Sequence, residues 1–242
     1  MDNLKEVLKD NKRLLTLYMT LAYPSFSEFL KYLDILVENQ VDILEIGIPV
    51  QNPYLDGKVI SQTYNKVKVD GFDKIQCLNM LKEIRNRYPK LPIVIMSYYE
   101  GIVNNSLLEN SDLYDALLCP DEFLNNSNKL IQIYNEDMTD KEIIDKLNYN
   151  SYFAYVMSSN SPTGSIGEIP TNYINTINRI RKYSDIPVQV GFGISTAKQA
   201  KEILCNGSDG IIIGSEIIRK INENNIINFE AYIDELRGAL LN

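Results

Sequence analysis

Two carboxylates in one short stretch, Glu45 and Asp56, are the residues of this sequence best suited to chemistry. They lie in DILEIGIPVQNPYLDG, residues 42–57. Glu45 is set into an otherwise apolar run, Ile43–Leu44–Glu45–Ile46, which reads as a buried strand. An ionised, unpaired carboxylate there is costly, so a strand that keeps one generally uses it. The plainer alternative is a glutamate pointing outward from a half-exposed strand. The chain then turns through Gly47 and Pro49 into a polar loop that carries Asp56 just before Gly57. Two carboxylates whose environments separate their pKa values are common equipment for proton transfer. The sequence has no histidine, which removes Ser-His-Asp and Cys-His nucleophiles, His-containing zinc sites and imidazole acid–base chemistry. Catalysis must then rest on carboxylates, tyrosines, lysines or backbone dipoles.

A second constellation suits an anion. Thr163-Gly164, Gly191-Phe192-Gly193-Ile194-Ser195 and Gly214-Ser215 each follow one of the last three expected strands. Glycine lets backbone N–H groups approach an anion closely, and a helix N-terminus adds donors and a favourable dipole. These turns carry no Lys or Arg, so the expected binding is by neutral backbone donors.

Positioning these groups requires a strand-rich frame. Apolar runs predict strands at 14–21, 43–48, 92–96, 115–119, 130–134, 152–157, 188–190 and 210–213. A capping box at Ser25–Glu28 opens a helix with Phe26, Phe29, Leu30, Leu33, Leu36 and Val37 on one face. Helices are also expected over 74–87, 141–147, around Tyr173–Ile180, from a cap at Ser195 to Gly207, and over 229–241. Between the fourth and fifth strands there is room for at most a stunted helix. Eight strands alternating with helices predict an α/β protein, a (β/α)8 TIM barrel forming a single domain over residues 1–242. The rival is an open doubly wound sheet, weakened because no GxGxxG follows the first strand. In a barrel, the loops after strands seven and eight are a recurrent phosphate site.

The 242 residues are 45% hydrophobic and 23% charged, an ordinary globular composition. A net charge of −8 argues against nucleic acid and anionic membranes, and gives an anionic substrate no long-range steering. No apolar run is long enough for a membrane helix, and the N-terminus does not read as a signal peptide. Cys77, Cys119 and Cys205 lack metal spacing and are expected to be free, buried thiols of a cytoplasmic protein.

Four motifs together resemble one family. EIGIP…P…DG at Glu45–Gly57, PIVIMSYY at Pro92–Tyr99, VGFGIS at Val190–Ser195 and DGIIIGSEII at Asp209–Ile218 are similar to the tryptophan synthase alpha subunit family, in its order and spacing. The resemblance implies a lyase that cleaves indole-3-glycerol phosphate into indole and glyceraldehyde 3-phosphate without metal or cofactor. It also implies a beta-subunit partner, which alone carries pyridoxal phosphate. By that resemblance Glu45 and Asp56 are the catalytic residues, and Tyr18, Tyr155 and Thr163 bind substrate. Gly164, Gly193, Gly214 and Ser215 hold the phosphate. Tyr18 stands where the family usually has Phe. A Schiff-base route would need a lysine at a strand end, whereas the sixth strand ends in Met157-Ser158-Ser159. Lys58, beside the carboxylates, is expected to be solvated on a mobile loop. The chain departs from the family pattern at Gln51-Asn52-Pro53, Glu100-Gly101 and Ser159–Pro162, on the face that carries the loops and the partner. Two alternatives stay open: a diverged member acting alone or on another phosphorylated substrate, and a non-catalytic activating partner.

Overall fold

Seven consecutive buried residues form the first strand, as expected where side chains cover one face and helices the other. The computed structural model describes residues 2–10, 13–158 and 170–241. Eight parallel strands close into a barrel in chain order: β1 (Leu14–Thr20), β2 (Ile43–Gly47), β3 (Ile93–Met96), β4 (Ala116–Leu118), β5 (Leu130–Tyr134), β6 (Ala154–Met157), β7 (Val188–Gly191) and β8 (Gly210–Ile213). β8 pairs back onto β1, which excludes the open sheet.

Around the barrel run α1 (Asn3–Asp10), α2 (Phe26–Glu38), α3 (Lys58–Val69), α4 (Lys74–Arg87), α5 (Tyr99–Asn104), α6 (Asp140–Leu147), α7 (Asn172–Arg181), α8 (Ala197–Cys205), α9 (Ser215–Asn222) and α10 (Ile226–Leu241). Two apolar clusters result. One fills the barrel and includes Leu14, Ile43, Val94, Ala116, Ile131 and Tyr155. The other joins the outer strand faces to the helices. Leu4 of α1 belongs to the inner cluster, so α1 closes the end of the barrel where the strands begin. Tyr152, just before β6, donates to Asp2 Oδ2 at 3.1 Å beside it.

Three aspartates just before strands tie that end together. Asp42 accepts from Leu15 N at 2.8 Å and from Arg237 Nη1 at 3.0 Å. Asp115 accepts from Ile93 N at 2.8 Å and from Arg85 Nη2 at 2.7 Å. Asp209 accepts from Val188 N at 2.8 Å and pairs with Arg181. Each joins its own strand, the preceding strand and one helix.

Some expectations need correction. The helix after β7 is capped by Thr196, whose side chain accepts from Gln199 N while Gln199 Oε1 accepts from Thr196 N. Ser195, the expected cap, instead donates to Gln199 Oε1 through its N–H and hydroxyl. Lys58 is exposed but opens α3 rather than lying in a loop. α1, α3, α5 and α9 were not apparent in the sequence, and α10 begins at Ile226. Of the cysteines, Cys77 is buried but Cys205 is exposed. No helix lies between β4 and β5. Leu124 is buried there and gives its carbonyl to Gln132 Nε2 at 2.9 Å, while Phe123 packs edge-on against Tyr149.

Candidate active site

A cavity of about 490 Å³ opens at the C-terminal ends of the strands, the end where barrels carry their chemistry. Tyr18, Glu45, Asp56, Tyr155, Gly193, Gly214 and Ser215 all line it. Thr163 and Gly164 lie outside the described residues.

Strand register explains why Glu45 points inward. It pairs with Tyr18 of β1 and Val94 of β3, and the alternation of side chains sends all three into the barrel. Its carboxyl is 3% exposed and has no hydrogen-bond partner among the described residues. Burial first, and the nearby Asp56 second, raise its pKa to about 8. The outward-pointing alternative is thereby excluded.

Asp56 comes from the loop between β2 and α3, and its carboxyl is turned into the protein. Tyr98 donates to its Oδ2 at 2.9 Å, and the same hydroxyl accepts from Leu55 N at 3.0 Å. One phenol therefore fixes both the carboxylate and its loop. Tyr54 packs against the Tyr98 ring and donates to Asp121 Oδ2 at 3.2 Å. Burial raises Asp56 to about 6, opposed by the Tyr98 hydrogen bond. At neutral pH, Glu45 thus carries a proton and Asp56 a negative charge.

The two tyrosines reach the cavity across glycines. A methyl at Gly47 would collide with the Tyr18 hydroxyl, and one at Gly191 with the Tyr155 hydroxyl. The Tyr18 hydroxyl is within 3.2 Å of both Thr20 Oγ1 and Tyr64 Oη, and Thr20 meets Thr63 at 2.7 Å. This buried hydroxyl cluster joins β1 to α3, the helix that begins directly after Asp56-Gly57. Tyr155 packs edge-on against Phe192 at 5.8 Å. Ile60, Met96, Leu118, Ile133, Met157 and Ile212 supply apolar walls, suited to a flat aromatic ring.

The far end of the cavity is a cradle of backbone. Phe192 and Gly193 have φ of 74° and 71°, and such left-handed backbone at a non-glycine residue marks local strain. Ser158 Oγ donates to the Phe192 carbonyl and holds this turn. Opposite it, Gly214 caps α9, whose first N–H groups face an anion favourably. Arg219 and Glu216 also line the cavity, so a cation lies one helical turn beyond these glycines although the turns contain none.

Sequence comparison decides the family. A family model described as tryptophan synthase alpha chain matches residues 4–237. The chain belongs to the tryptophan synthase alpha chain family. A family member from Buchnera aphidicola subsp. Schlechtendalia chinensis is 30% identical over 236 residues, covering 91% of this chain and 87% of that one. The Leptospira interrogans alpha chain is 27% identical over 265 residues, covering 99% of this chain and all of the relative. Among solved structures, a mutant tryptophan synthase alpha subunit from Pyrococcus furiosus superposes with a TM-score of 0.82 at 25% identity, covering 94% and 99% of the two chains. Membership places the chain among the lyases of tryptophan biosynthesis.

Tyr98, Tyr64, Glu216 and Arg219 are site residues that sequence reasoning missed. Tyr98 stands within the PIVIMSYY motif, and Arg219 follows Ser215 at the four-residue spacing of a helix face. Tyr64 needed knowledge that 58–69 is helical.

Proposed function

We propose that the chain cleaves indole-3-glycerol phosphate to indole and glyceraldehyde 3-phosphate by a retro-aldol route. The observation that carries this reading is Glu45 and Asp56 lining one cavity, where burial raises Glu45 to about 8 and Asp56 only to about 6. Glu45 gives its proton to C3 of the indole. Asp56 accepts a hydrogen bond from the ring N–H and stabilises the positive charge that develops there. The bond from C3 to the side chain then breaks, and its electrons restore the ring double bond. The adjacent hydroxyl becomes the aldehyde carbonyl and returns its proton to Glu45. No cofactor enters this route; pyridoxal phosphate would belong to a beta partner. The phosphate is held by N–H groups at Gly193, Gly214 and Ser215, with Gly164 assigned there, and Thr163 to substrate binding, from the family resemblance.

A protein partner is part of the proposal. Tyr54, Leu55, Tyr99, Val103 and Phe123 follow the ends of β2, β3 and β4 and are 44–63% exposed. Such apolar side chains grouped around a cavity mouth suit a docking surface. The occupant is a tryptophan synthase beta subunit, which favours the substrate-closed state. Indole release from indole-3-glycerol phosphate is expected to be low for the chain alone and to rise across a titration of matched beta subunit. A flat response with substantial basal turnover identifies a self-sufficient lyase, and a flat response at zero favours another substrate or a non-catalytic role.

A further inference from the structure

The cradle end of the cavity holds an ion pair that the proton chemistry does not use. Arg219 Nη1 donates to Glu216 Oε2 at 2.8 Å, and both side chains line the same cavity as Gly193, Gly214 and Ser215. They are mostly enclosed, at 26% and 17% exposure. Residues four apart stack on one helix face, and side chains lean toward the helix N-terminus. Arg219 follows Ser215 by four, so its side chain leans over the first turn of α9. Tyr232 marks the position independently. Its hydroxyl donates to Ser195 O at 3.0 Å; burial above all raises its pKa, Glu216 and Glu235 raise it further, and Arg219 opposes them. Glu216 and Arg219 line the same cavity as Ser195 and Gly214.

We propose that Arg219 is a phosphate-binding side chain at this cradle, and that Glu216 holds it there while limiting the affinity for the anion. The proposal rests on the reading that a phosphorylated substrate occupies the cavity. A guanidinium carries five N–H donors in a fork, so donating to Glu216 through Nη1 is compatible with donating to a phosphate oxygen. The chain's net charge of −8 gives the anion no help from a distance, and a local cation offsets this. Glu216, in the first turn of α9, complements the helix dipole but opposes a phosphate at the same N–H groups. The two residues should therefore act on phosphate with opposite sign.

The test uses the full chain as wild type, Arg219→Gln and Glu216→Gln, the second keeping an oxygen acceptor for Arg219 without the charge. Inorganic phosphate binding is measured by calorimetry, KM and kcat for indole-3-glycerol phosphate by indole release, and Tm by thermal unfolding. Arg219→Gln is expected to weaken phosphate and raise KM about fivefold, more than it changes kcat, as loss of a partly screened charge-assisted bond should. Glu216→Gln is expected to tighten phosphate about threefold while slightly lowering Tm, as removal of a charge at a helix N-terminus should. Equal weakening in both variants, or lower Tm with phosphate affinity unchanged, would assign the pair to the stability of α9 and overturn the proposal. Absence of saturable phosphate binding by the folded wild type would also overturn it. Opposite effects on phosphate in a chain that releases no indole would uphold Arg219 and sink the cleavage reading instead. Normal cleavage with unaltered phosphate affinity and KM in both variants would do the reverse.

Discussion

Glu45 and Asp56 share one cavity, yet burial leaves them at different places on the pH scale. Glu45 is raised to about 8, and Asp56 to about 6 because Tyr98 still favours its charged form. The route needs Glu45 protonated and Asp56 ionised, so kcat/KM is expected to peak between these values. It should fall about tenfold per pH unit below about pH 6 and above about pH 8. A pH profile of indole release checks both limbs, and a rate still rising above pH 9 would contradict the role given to Glu45. The same shift sets a stability trend. Folding raises the Glu45 pKa, so its protonated form is favoured in the native state. That contribution is full below the ordinary glutamate value and is lost as pH rises toward about 8. Thermal unfolding should therefore show Glu45→Gln gaining on wild type across that window.

At the scale of elements, the two ends of the barrel divide the work. Tyr98, at the C-terminal end, holds Asp56 and Leu55, while Asp115, at the other end, joins β3, β4 and α4 through Ile93 and Arg85. Tyr98→Phe is expected to lower kcat about tenfold by loosening Asp56, with little change in unfolding free energy. Asp115→Ala should cost about 3 kcal/mol in urea unfolding, since it leaves a largely enclosed Arg85 unpaired, and should spare kcat. Equal effects of both substitutions on both measurements would contradict this division. Much of the frame was legible because buried parallel strands write themselves as short apolar runs, and all eight could be read. Less legible were helices packed by few apolar residues. In α3 only Ile60, Thr63, Tyr64 and Val67 are buried, and two of them are polar or phenolic. The Asp42, Asp115 and Asp209 ties were visible as an Asp just before an apolar run, a pattern whose purpose emerges only from the neighbouring strand and arginine. Glu45 and Asp56 could be found because a carboxylate in an apolar run is conspicuous. Tyr98, Tyr64 and Arg219 act through contacts between distant segments, which spacing alone does not reveal.

The whole molecule joins an apolar compartment that fits an aromatic ring to a backbone cradle that fits a phosphate. Two carboxyls that burial raises unequally, to about 8 and about 6, sit with them in one cavity of about 490 Å³. A chain without histidine can perform carbon–carbon cleavage this way only if those carboxyls move and stabilise the charge. Family membership agrees with that chemistry. The most direct measurement is indole release from indole-3-glycerol phosphate by wild type, Glu45→Gln and Asp56→Asn, with folding checked by circular dichroism. Wild type should turn over, and each variant should fall by at least about a hundredfold while remaining folded, as loss of acid–base catalysis requires. Turnover near that of wild type in either folded variant would contradict the account.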